Sequence, residues 1–229
     1  FINKIVNFKR ILLHNSINNL ALINDQIKSK FGLVKNLNII AVSKTFPMSE
    51  INPLIENGQM HFGENKVQEA VDKWSDIKKL NENLKLHMIG KLQTNKVKYV
   101  VPLFDYIHSL DNIKLAEKIA SEQIKKNRNL KIFIQVNIGN ESQKAGINII
   151  DLKNFYEKCT QELNLNIIGL MCLPPQSGSA KNYFNEMVEL KKTINVEDLS
   201  MGMSEDYLEA VACGATYIRI GSKIFGDRS

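Results

Sequence analysis

The stretch NIIAVSKTFP, residues 38–47, runs four apolar side chains into a lysine and then a turn built by Pro47. Such a run is what a parallel strand buried on both faces looks like. Ile40, Val42 and Lys44 alternate, so on a strand they share one face. Lys44 is therefore expected at the tip of the strand among apolar neighbours, where desolvation disfavours a charged amine. A neutral amine can form an imine with an aldehyde. The other reading is a surface lysine or an ion-pair partner for Glu64.

Outward from this stretch, short apolar runs alternate with amphipathic ones. The strands are expected at 38–43, 60–64, 86–89, 103–108, 131–138, 166–172, 197–200 and 215–220. Helical segments fall near 49–57, 65–80, 94–101, 112–128, 150–163, 179–194 and 204–213, with a short terminal turn or helix from Ser222. An extra N-terminal helix is read over 2–30 from Ile5, Phe8, Ile11, Leu12, Leu20 and Ile23. Strand alternating with helix argues for parallel pairing. Eight such units in 229 residues predict an α/β fold, a (β/α)8 TIM barrel spanning 1–229 as a single domain. A doubly wound open sheet is the alternative, but it usually carries a Gly-rich turn after its first strand, and here that strand ends in SKTFP.

Composition narrows the function. A hydrophobic share of 44% and a charged share of 24% suit a globular protein. No segment reaches the roughly 18 consecutive apolar residues of a membrane span, so no membrane partner is expected. Cys159, Cys172 and Cys213 lie far apart without a C-x-x-C pair, which predicts neither disulfides nor a metal site and suggests a reducing cytoplasm. The net charge of +6 is dispersed rather than striped, against nucleic-acid binding. His61, His87 and His108 lack the spacing of metal ligands, and His87 reads as packing. Cys172 reads as a small buried hydrophobe, Trp74 as packing.

In a barrel, chemistry gathers at the C-terminal strand ends. SMGMS, 200–204, and RIGS, 219–222, place small residues with free N–H groups after strands seven and eight, where this fold commonly holds phosphate. Gly221-Ser222 is also a good helix N-cap. Arg219 alternates with outward-facing isoleucines and so points into the barrel, where a permanent cation needs a partner. That partner is either an acid such as Glu64 or a ring nitrogen of a cofactor. An amine, a phosphate cradle and an inward arginine are three contacts that pyridoxal 5′-phosphate (PLP) needs.

Seven ordered runs then match a known family: AVSKT at Ala41, FGENKVQE at Phe62, HMIGKLQTNK at His87, VNI at Val136 with KAG at Lys144, GLMCLPP at Gly169, LSMGMS at Leu199 and RIGSKIFG at Arg219. Across nearly its whole length the chain resembles the YggS/PROSC group, the PLP homeostasis proteins. The resemblance implies a monomeric barrel like the N-terminal domain of alanine racemase, with PLP held as a Schiff base on Lys44. Arg219 would meet the pyridine nitrogen, Ser204, Gly221, Ser222 and the Met203 backbone the phosphate, and Asn65 would lie near the ring. Lys66, Lys91, Asn112 and Ala145 depart from residues frequent in the family.

The resemblance implies a role in intracellular PLP homeostasis, as a cofactor carrier or buffer without established turnover. Transient encounters with cofactor-free PLP enzymes would follow from such a role. Arginine does not release its proton, so Arg219 would keep the pyridine nitrogen unprotonated and weaken the ring as an electron sink. The alternatives are a PLP-dependent racemase or decarboxylase, and a cofactor-free aldolase using Lys44.

Overall fold

Asn38–Val42 forms β1, and its side chains alternate as the sequence requires: Ile40 enters the barrel interior, whereas Ala41 packs outward beneath the helices. The computed structural model describes residues 14–141 and 145–226. Seven further strands follow in chain order: β2 His61–Glu64, β3 Lys85–Met88, β4 Tyr106–Leu110, β5 Lys131–Val136, β6 Ile167–Cys172, β7 Asp198–Ser200 and β8 Tyr217–Ile220. Each pairs in parallel with the next, and β8 returns to β1 to close the barrel. In that closing pair Asn38 lies opposite Tyr217 and Ile40 opposite Arg219. Closure thus brings Lys44 and Arg219, 175 residues apart in sequence, to neighbouring strands at one mouth.

The helices between strands are α2 Met48–Glu56, α3 Val67–Leu80, α4 Val97–Leu103, α5 Ile113–Lys126, α6 Leu152–Glu157, α7 Ala180–Thr193, α8 Tyr207–Ala212 and α9 Ser222–Phe225. The N-terminal helix α1, Asn15–Phe31, buries Leu20, Ile23 and Ile27 and is tied to α9 by an Asn19 Nδ2 donation to the Ile224 carbonyl (3.0 Å). The first part of the expected helix, 2–13, lies outside the described residues, as does Lys144.

Several boundaries differ from the sequence reading, and three of the differences have a clear physical cause. The strand expected at 103–108 begins at Tyr106, because Val97, Val100, Val101 and Phe104 bury one helical face and α4 runs on to Leu103. An apolar run of that length fits either period. The segment 150–163 is broken into a 3-10 turn (Ile149–Asp151), α6 and a π-helical turn (Lys158–Glu162). The expected strand end at 137–138 is loop, since the pairing of β5 stops at Val136. Asn112, a departure from the family pattern, caps α5 by accepting the Leu115 N–H (2.9 Å).

Candidate functional site

At the C-terminal end of the barrel lies a cavity of about 580 Å³. Lys44, Asn65, Met203 and Ser204 line it, together with Arg219, Gly221 and Ser222, so every site residue expected from sequence borders one space. Val42, Phe46, Ile89 and Leu173 supply apolar wall. Lys44 sits two residues past β1 in a turn, half-buried. The next residue, Thr45, has φ 69°, and its N–H donates to Glu69 Oε1 of α3 (2.5 Å). Lys73, one helical turn further, donates to the Ser43 carbonyl (2.8 Å) and the Phe46 carbonyl (3.2 Å). The loop that aims Lys44 is therefore held from α3 at three backbone positions.

Glu64, considered as a partner for Lys44 or Arg219, faces α3. Its Oε1 accepts from Ser43 Oγ (2.8 Å) and Trp74 Nε1 (3.0 Å) and forms an ion pair with Lys73 Nζ (2.8 Å). Trp74 is therefore more than packing: it stacks obliquely on Phe62, with ring centroids 5.0 Å apart, and also donates to the buried carboxylate. Asn65 is placed by close backbone approach, because a Cβ on Gly90 would stand 2.3 Å from the Asn65 carbonyl oxygen.

Arg219 is 4% exposed and donates to Ser200 Oγ (2.7 Å) and to the Cys172 carbonyl (2.9 Å). Neither partner is an acid. Burial lowers its pKa from the usual value, and the cavity is the open side of its guanidinium. Beyond it, Ser204 and Ser222 hydroxyls lie 3.0 Å apart. A Cβ on Gly221 would meet nothing nearer than Val42 at 3.5 Å, so the chain itself does not require glycine there. Glycine leaves the backbone bare toward the cavity. The Met203 N–H already donates to Asp206 Oδ1 (2.6 Å).

The residues missed by sequence reasoning lie below Arg219. His87, read as packing, is fully buried yet hydrogen-bonded on both nitrogens, to His61 (2.9 Å) and to His108 (2.9 Å). His108 continues to Ser200 (2.8 Å). The signal was period two: His87 and Tyr106-His108 fall on inward positions of β3 and β4, and Ser200 ends β7. Among the described residues no cluster could hold a metal ion, and no helix is long and apolar enough to cross a membrane. Cys172 and Cys159 are buried thiols pushed up to about 12 by desolvation.

Residues 18–229 match the family described as alanine racemase, N-terminal domain. The chain is 38% identical over 199 residues to the pyridoxal phosphate homeostasis protein of Aquifex aeolicus, covering 83% of this chain and 86% of the relative. It is 32% identical over 229 residues to the protein of that name in Escherichia coli, covering 94% and 98%. The chain belongs to the pyridoxal phosphate homeostasis protein family. A solved structure like this family member is PipY of Synechococcus elongatus with PLP bound, with TM-score 0.81 and 35% identity over 92% of this chain and 100% of that one. The eight-stranded barrel expected from the sequence is that of the structure, and the described part of the expected N-terminal helix is α1.

Proposed function

We propose that this chain binds PLP at the barrel mouth and serves intracellular PLP homeostasis as a carrier or buffer, without turnover of its own. The observation that carries the reading is the convergence of Lys44, Arg219 and Gly221-Ser222 on one cavity of about 580 Å³, a volume within the range of small-molecule sites. When bound, the cofactor supplies an aldehyde for reversible covalent attachment and an electron-accepting ring. Lys44 is the amine that carries it. Ser204 and Ser222 offer hydroxyls to the phosphate, and the first N–H groups of α9, which have no intrahelical partner, point the same way. Arg219, whose hydrogen-bond partners include no acid, faces the ring nitrogen as a donor and holds that nitrogen unprotonated. Asn65 borders the ring, and the Met203 backbone joins the phosphate side once Asp206 releases its N–H.

The same reading makes the whole of 1–229 one PLP-binding unit, a monomer in the cytoplasm that meets cofactor-free PLP enzymes transiently. The three cysteines, all unpaired and two of them deeply buried, suit a reducing compartment. The test is titration with PLP and with pyridoxal, followed by visible absorbance. PLP should bind far more tightly, because the cradle recognises a dianion. Equal dissociation constants would remove the cradle, and no new absorbance band would remove the covalent lysine. Amino-acid turnover assays should stay at background; sustained racemisation or decarboxylation would make the chain an enzyme.

A further inference from the structure

We propose that Ser200, His108, His87 and His61 form a one-way hydrogen-bond relay that holds the Arg219 guanidinium, without an ion-pair partner in hydrogen-bond contact, against the ring nitrogen of the bound cofactor. The proposal rests on the PLP reading above but names residues that the reading does not need. The chain of contacts runs down the barrel axis: Arg219 NH1 to Ser200 Oγ 2.7 Å, Ser200 to His108 Nδ1 2.8 Å, His108 Nε2 to His87 Nδ1 2.9 Å, and His87 Nε2 to His61 Nδ1 2.9 Å. His108 stacks on Phe133 (4.3 Å) and His87 on Tyr106 (4.1 Å), which fixes the ring planes.

The direction of the relay follows from arginine, which has donors and no acceptor. Ser200 accepts from Arg219, so its own hydrogen goes to its other neighbour, His108 Nδ1. His108 then carries its single hydrogen on Nε2 and donates to His87 Nδ1. His87 repeats the step to His61, the half-buried first residue of β2, whose hydrogen is then on Nε2. The reverse order would leave the fully buried Ser200 hydroxyl with no acceptor, a costly arrangement. Burial keeps all three rings neutral: His61 is lowered to about 4 by desolvation and Lys85, and His87 and His108 lie well below the usual value. The groups facing them are Lys78, Lys85, Lys131 and Asp105 at the lower end, Tyr106 and Tyr217 at the sides, and Arg219 above, with Asp206 acting on Arg219 through space.

Barrels of this kind fill their axis with branched apolar residues. Three imidazoles in that place cost stability unless every polar atom is satisfied. The relay satisfies them, and each acceptor lone pair points toward the guanidinium. Arg219 is thus held by dipoles in direct contact, with Asp206 acting on it only through space, and its charge is not tied up in an ion pair. A carboxylate in the place of Ser200 would cancel that charge. Ser200 and His108 are positioning residues in this scheme.

The first test uses the protein alone. Nitrogen-15 NMR of the histidine rings at pH 7.5 should show His87 and His108 neutral with hydrogen on Nε2; the Nδ1–H tautomer or an imidazolium at either ring overturns the relay. The second compares PLP with an analogue whose ring nitrogen is C–H, in His108→Phe and His108→Gln, each first shown to be folded by circular dichroism. Phenylalanine breaks the relay, whereas the Gln amide accepts from Ser200 and donates to His87. His108→Phe should weaken PLP on the order of tenfold, leave the analogue unchanged, and be rescued by Gln. Equal weakening of both ligands, or of neither, overturns the positioning role. A wild-type protein that binds neither ligand overturns the cofactor reading and the ligand half of the proposal, and the tautomer result distinguishes that failure from a failure of the relay.

Discussion

Thr45, directly after the pocket lysine, carries φ 69°, a left-handed conformation that a β-branched residue avoids. The other non-glycine residues at positive φ among those described are Asn36, Asn127, Asn140, Asn164 and Asn195, whose short amides tolerate it. The abundance of asparagine in the sequence is therefore partly a set of turns and caps, which composition alone does not reveal. Thr45 is held there because Glu69 binds its N–H and Lys73 binds the carbonyls on either side of the turn. Strain of this kind gathers at functional loops. Thr45→Gly should raise stability by about 1 kcal/mol, or about 2–4 °C in Tm for a chain of this size, the relief of strain exceeding the entropy that glycine adds to the unfolded state. Scanning calorimetry checks it. A lower Tm would mean that the left-handed turn carries no strain.

Lys73 is the point at which α3 holds the mouth. It bonds two loop carbonyls, Glu69 and the fully buried Glu64. Lys73→Met should cost about 3 kcal/mol in urea unfolding, chiefly by leaving Glu64 without its cation. The double variant Lys73→Met/Glu64→Gln should recover a large part of that loss, and strict additivity of the two single costs would show that the pair is not coupled. None of this was legible in the sequence, where Glu64 looked like a partner for Lys44 or Arg219. Strand alternation says which residues point outward, but not which helix residue waits for them. The fold was more legible, because buried parallel strands announce themselves as apolar runs and β1, β6 and β8 do so plainly. β4 did not: the apolar face of α4 runs into it without a break, and Asp105 marks the boundary only through tertiary bonds, accepting from Lys78 Nζ and the Leu86 N–H (2.8 Å each). The residues lining the cavity were legible because they sit at strand ends, which topology gathers. The histidine relay was not, since its members lie in the strand interiors, where a barrel normally stores packing.

At the scale of the molecule, a barrel with neutral imidazoles on its axis should be sensitive to acid. In the unfolded chain a histidine takes up a proton below about pH 6.5, whereas His61 resists to about 4 and His87 and His108 lie well below the usual value. The folded state thus binds fewer protons, so the stability these rings contribute is full above about pH 6.5 and falls as pH drops through the window down to their folded values. Urea unfolding at pH 7.5 and pH 5.0 should differ by up to about 2 kcal/mol for each such histidine, and His108→Gln should flatten the dependence. Equal stability at the two pH values would mean that the rings are not held neutral. PLP retention at the barrel mouth depends on one covalent bond, at the lysine just past the first strand. The direct measurement is intact mass of the PLP-treated protein after borohydride reduction, with the modified peptide mapped. One cofactor mass on the peptide containing Lys44, absent from a folded Lys44→Ala variant, is the predicted result; an adduct on Lys91 or Lys96, or one that persists in that variant, would contradict it.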